Sequence, residues 1–152
     1  MSHNYVRGAS LSSSVFQEEI RQMLAEFGAS RLRIASEYRR AAVFFSLGGR
    51  TFRMLLSPLG QADSQAERAH DWIQPSSRPH ESKSAQEAAR QAWRQLSLLI
   101  RAKLDAVASG IVTFDEEFLA YMVLPGGGTV FQATAPAIAA AYDGAEDSGA
   151  QG

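Results

Sequence analysis

From Val15 to Phe27, the apolar residues Val15, Phe16, Ile20, Met23, Leu24 and Phe27 recur three and four positions apart, which predicts an amphipathic helix. Ser14 with Gln17 reads as a capping box at its start and Gly28 as its stop, leaving 1–13 as a disordered arm. From Ser30 the period shortens to two. Leu32 and Ile34 alternate with Arg31 and Arg33, as in a half-buried strand, and Glu37-Tyr38-Arg39-Arg40 suits a turn. Ala41 to Leu47 is apolar on both faces and reads as a central strand. Gly48-Gly49 supplies the positive backbone angles of a two-residue hairpin, so Thr51 to Leu56 should return antiparallel, ended by Pro58 and Gly60.

Residues 60–82 hold Pro75, Pro79 and many polar side chains, and form one long irregular connection with at most a short helical turn around 66–72. Ser84 with Glu87 is a second capping box, followed by Trp93, Leu96, Ile100, Leu104 and Val107 stepping by three and four. That stripe should cover one face of the sheet. Gly110 stops the helix, and Thr113 with Glu116 opens another from Phe114 to about Leu124, burying Phe114 and Phe118. After the break at Pro125-Gly126-Gly127-Gly128, Thr129 with Gln132 could cap a last helix over Ala133–Tyr142, or Thr129-Val130-Phe131 could form a short strand. Pro136 forbids one straight helix, and 145–152 should be a disordered tail.

The order is α-β-β-β-α-α-α. Strands followed by a run of helices indicate an α+β fold: an N-terminal helix, a three-stranded antiparallel sheet, then a long helix and one or two C-terminal helices. The expectation is a single domain over 14–144.

At 152 residues the chain is long enough for a real core, and with no cysteine it has neither disulfides nor thiolate metal sites. It contains no apolar run long enough to span a membrane and no signal-peptide core, so a soluble cytoplasmic protein without a membrane partner is expected. The net charge of −1 conceals a division along the chain. Residues 21–53 hold seven Arg against two Glu, 81–110 hold five basic and three acidic groups, and 111–152 hold six acidic groups and no basic one. Such asymmetry points to electrostatic partners.

Candidate chemistry is sparse. His3, His70 and His80 are scattered without metal-ligand spacing, so no metal or other cofactor is expected. Asp115, Glu116 and Glu117 could form a carboxylate cluster, but they occupy a first helical turn, where the helix dipole favours negative charge. No nucleophile elbow is present, and PGGGT lacks the lysine of a phosphate loop. No catalytic residue is assigned, and the chain is expected not to be an enzyme.

Phe16–Gly28, Ala41–Leu56 and above all Arg90–Val130 carry a resemblance. With its Trp-containing helix, the segment LLIRAKLDAVASGIVTFDEEFLAYMVLPGGGTV and the AAAYDG ending, the chain resembles a group of small proteins encoded in bacteriophage and prophage regions. The likeness spans about 15–144, is densest over Leu98–Leu124, and departs at Gly126-Gly127-Gly128. It implies a phage-associated setting and no particular activity.

The function expected is therefore that of a non-enzymatic phage accessory protein contacting nucleic acid through Arg31, Arg33, Arg53, Arg90, Arg94 and Arg101. Helix, three strands, helix is also the order of the double-stranded RNA-binding module, although the lysines expected at the start of the Ser84 helix are missing. The bland alternative is that these arginines protect the sheet and pair with the acidic helices. A further alternative is an inhibitor or adaptor of a host protein, of the anti-defence or anti-CRISPR kind, that uses the acidic C-terminal region. An uncovered sheet face would also allow self-association into a homo-oligomer.

Overall fold

The structure, a computed structural model, describes residues 3–37, 40–56 and 83–149. The expected connection over 60–82, its helical turn, the loop histidines and the strand stop at Pro58 lie outside the described residues. Helix α1 (His3–Glu26) is followed by strands β1 (Ser30–Glu37), β2 (Arg40–Leu47) and β3 (Arg50–Leu56). Helix α2 (Lys83–Ala108), a short α3 (Phe114–Phe118), a 3-10 turn (Leu119–Tyr121) and α4 (Val130–Gly149) complete the chain. The fold is α+β, with the strands in the order β1-β2-β3, all antiparallel.

Gly48 and Gly49 adopt φ values of 62° and 77°, the mirror-image turn whose twist matches that of the strands it joins. This turn sets the register. Phe45 pairs with Phe52 and Val43 with Met54, and all four side chains are buried on one face. Against that face lie Ile20 and Leu24 of α1, Trp93, Leu96, Ile100 and Leu104 of α2, and Phe118 of α3. The Trp93 stripe therefore covers the sheet, as its periodicity requires. The rings of Phe45 and Phe52 stack at 5.2 Å, and those of Phe114 and Phe118 at 4.4 Å. Ser97, buried on α2, donates to Glu19 of α1 at 3.1 Å and ties the two long helices together.

Helix boundaries depart from the sequence reading in four places, one being the helix expected from Phe114 to about Leu124, which ends at Phe118 and gives way to the 3-10 turn and to the bridges of Met122 and Val123. Helix α1 begins at His3, so Ser14 and Gln17, read as a capping box, lie inside it; the residues before them contain no proline, although Gly8 and the Asn, Val and Ser residues around it are weak helix formers. Helix α2 begins at Lys83, one residue before Ser84, and the Glu87 carboxylate is taken by Arg90 and Gln91. Helix α4 runs from Val130 through Pro136 to Gly149, so 145–149 is not a separate tail. Proline removes one backbone donor without ending the helix.

The capping boxes at Thr113/Glu116 and Thr129/Gln132 are both present. Before the second, the chain adds to the sheet edge. Val123 donates its backbone N–H to Thr51 at 2.8 Å, and Val130 donates to Met122 at 2.9 Å. Gly127 and Gly128, at φ 91° and 76°, make the reversal that brings Thr129 opposite Val123. Thr129 is thus both a strand partner and a helix cap.

Candidate nucleic-acid interface

The strand register divides the sheet into an inner face, buried under the helices, and an outer face that the described helices meet at its β3 margin, where the first turn of α4 lies beside Arg53 and Leu55. Arg33 pairs with Phe44, and Phe44 with Arg53, so one row across the three outer positions reads Arg–Phe–Arg. The Arg33 guanidinium carbon sits 4.3 Å from the centre of the half-buried Phe44 ring. On one side of this row lie the paired hydroxyl residues Ser30, Ser46 and Thr51; on the other lie Ala35, Ala42 and Leu55. Arg40 extends the same alternation and is exposed.

Arg31 occupies a bulge in β1 where the register shifts between Ser30 and Arg33. Its φ of 51° lies in the left-handed region, an uncommon conformation for a long side chain. The bulge turns Arg31 out of the strand alternation toward the hairpin end. There, with Ser30, Ser46, Gly48, Gly49 and Thr51, it lines an open hollow of about 390 Å³.

Arg53 is held at the opposite margin of the sheet. Its Nη2 donates to Gln132 Oε1 at 2.9 Å, while its Nε is buried without a hydrogen-bond partner among the described residues. Beside it a groove of about 410 Å³ is lined by Leu55, Tyr121, Phe131 and Gln132.

The three remaining arginines belong to the helical layer on the other face of the sheet. Arg90 is bonded to Glu87, Nε to Oε2 at 3.0 Å, which lowers the pKa of Glu87 and raises that of Arg90. Arg94 is exposed on α2. Arg101 lines a shallow hollow of about 240 Å³ between α1 and α2, shared with Glu26 and Asp105. The six arginines therefore do not share one surface. Arg31, Arg33 and Arg53 lie along the outer side of the sheet, whereas Arg90, Arg94 and Arg101 flank the apolar stripe that covers its inner side.

The carboxylates of α3 are similarly distributed. Asp115 pairs with Arg50, and Glu116 closes the cap on Thr113. Glu117 accepts from Lys103 at 3.0 Å. Hydrogen bonds from the Thr113 backbone and hydroxyl hold the Glu116 carboxyl below its ordinary pKa. Among the described residues, no three His, Cys, Asp or Glu come together as metal ligands, and no helix is long and apolar enough to cross a membrane.

Phe44 is the residue of this interface that the sequence reading does not single out. A signal for it existed: counting back from the Gly48-Gly49 hairpin places Phe44 opposite Arg53 and on the face away from Phe45. Comparison with known protein families, with curated proteins and with solved structures finds no match for this chain.

Proposed function

We propose that the outer face of the sheet contacts single-stranded nucleic acid, and that the protein serves as a non-enzymatic accessory protein in a phage setting. The setting rests on the sequence resemblance alone. The observation that carries the contact is the Arg33–Phe44–Arg53 row. A half-buried aromatic ring on the outer sheet face, flanked by two guanidinium groups, offers a base a stacking surface and offers the backbone phosphates two cations. The Arg33 guanidinium already lies over that ring, as a planar group would. Arg31 adds a third cation beside a row of hydroxyl residues, and its left-handed backbone is the kind of local strain that concentrates at binding sites.

Arg90, Arg94 and Arg101 drop out of this interface because they belong to the other layer. The alternative, a host-protein inhibitor that uses the acidic C-terminal region as a phosphate mimic, is weaker. Three of its six carboxylates, Asp115, Glu116 and Glu117, are engaged within the domain.

The test is a titration of the full chain against single-stranded and duplex DNA and RNA at low and high salt. Salt-sensitive binding that prefers single strands is expected. No salt-sensitive binding at micromolar protein would sink the reading, and a preference for duplex would remove the role given to Phe44.

A further inference from the structure

Helix α4 has no buried residue over its 20 positions. Phe131, Ile138 and Tyr142 are 63%, 53% and 71% exposed, and with Ala135 they fall at steps of four, three and four, along one face. A helix of this length that contains Pro136 is marginal when its apolar face meets only water. We infer that α4 packs antiparallel against α4 of a second copy of this chain.

Two observations select a second copy as the occupant. The first is that the stripe is complementary to itself. Laid antiparallel about a two-fold axis midway along it, Phe131 of each copy meets Tyr142 of the other, and Ala135 meets Ile138, so that large faces large at the ends and small faces large at the centre. The alanines at 137, 139, 140 and 141 keep the surrounding helix surface slim enough for close approach.

The second is charge. Helix α4 carries Asp143, Glu146 and Asp147 near its C-terminus and no basic residue. Antiparallel packing brings the acidic end of one copy to the helix start of the other, where the dipole is positive and where Gln132 holds Arg53, whose Nε has no partner among the described residues. Glu146, one turn beyond Tyr142, is the carboxylate that comes nearest this arginine. The groove between Leu55, Tyr121 and Phe131 continues the apolar stripe onto the domain and receives the end of the second helix. Arg53 is common to this contact and to the nucleic-acid reading, whereas Ile138 is not part of the Arg33–Phe44–Arg53 row, so the Ile138 substitutions test the pairing without testing nucleic-acid binding.

The experiment is light scattering coupled to size exclusion on the full chain, from low to high micromolar, with hydrogen exchange of α4. A dimer with protected α4 amides is expected. Ile138→Ala, which keeps helix propensity, should weaken it roughly a hundredfold or more, since the two-fold axis repeats the loss. Ile138→Glu should give a monomer with an intact sheet core. Arg53→Glu and Glu146→Arg should each weaken the dimer, and the two together should restore it. A monomer at every concentration overturns the inference, whether α4 is then unprotected, shielded by its own chain or bound by another protein. So does a dimer that neither Ile138 substitution disturbs.

Discussion

Lys103 Nζ lies 3.0 Å from Glu117 Oε1, joining the C-terminal part of the long helix α2 to the short helix α3 across a largely covered gap. The same ammonium is 3.3 Å from the Glu117 carbonyl oxygen and 5.2 Å from the centre of the Tyr121 ring. Side-chain exposures of 15% and 26% put the pair between a solvated ion pair and a buried one. Lys103→Ala should therefore cost about 2 kcal/mol, because it leaves a half-buried carboxylate and strips a cation from the Phe118 and Tyr121 rings. Urea unfolding measures this. A loss below about 0.5 kcal/mol would class the contact with ordinary surface pairs.

Acid should weaken the Thr113 cap. The Thr113 backbone N–H and hydroxyl donate to Glu116 at 3.0 and 2.8 Å and favour its ionised form, so its pKa in the folded protein is lower than in the unfolded chain. The stabilisation is then complete above the ordinary glutamate value of about 4.3 and is lost as pH falls through the depressed folded value. Glu116→Gln is neutral at every pH. The melting temperature of the unsubstituted protein should exceed that of Glu116→Gln most at pH 7, and the gap should close as pH falls below about 4. A gap of constant size would mean that the carboxylate charge contributes nothing to the cap.

Much of this architecture is legible in the sequence because local signals and tertiary packing agree. Gly48-Gly49 accepts few structures other than a tight hairpin, and the hairpin then fixes which residues of β2 and β3 face the helices. The Trp93 stripe and the Thr113 cap are equally local. What escapes is what local rules do not encode. A bulge at Arg31 depends on how β1 meets β2, not on any turn residue. Continuation of α4 past Pro136 runs against the usual preference. The edge pairing of Met122 and Val123 depends on where α3 delivers the chain. The arginines are visible in sequence, but their division between two layers follows from the packing of α2 over the inner face.

That division makes the nucleic-acid reading testable residue by residue. Phe44→Ala should weaken single-strand binding by about 1–3 kcal/mol through lost stacking, with little change in salt dependence. Arg33→Ala should weaken it across sequences and lower the salt slope by about one ion. Arg94→Ala and Arg101→Ala, on the helical layer, should leave both quantities unchanged. Fluorescence anisotropy against a labelled oligonucleotide at several salt concentrations separates the two groups. Equal losses from the three arginine variants, with none from Phe44→Ala, would mean that binding follows net charge, not this surface.

Arg31 should show an exchange between stability and binding. Its φ of 51° places a long side chain where the β-carbon crowds the backbone, at a cost of about 1–2 kcal/mol that glycine does not incur. Glycine also gives the unfolded chain more freedom, which offsets part of the relief. Arg31→Gly should therefore unfold at an equal or slightly higher urea concentration than the unsubstituted protein, with a gain of at most about 1 kcal/mol, while Arg31→Val should lose stability because a β-branched residue tolerates this region worst. If Arg31 supplies a phosphate contact beside the hydroxyl row, Arg31→Gly should bind single strands more weakly although it folds at least as well. Weaker binding with undiminished stability would explain why a strained position carries arginine. Unchanged binding would leave the bulge as a purely structural device for ending the β1–β2 pairing.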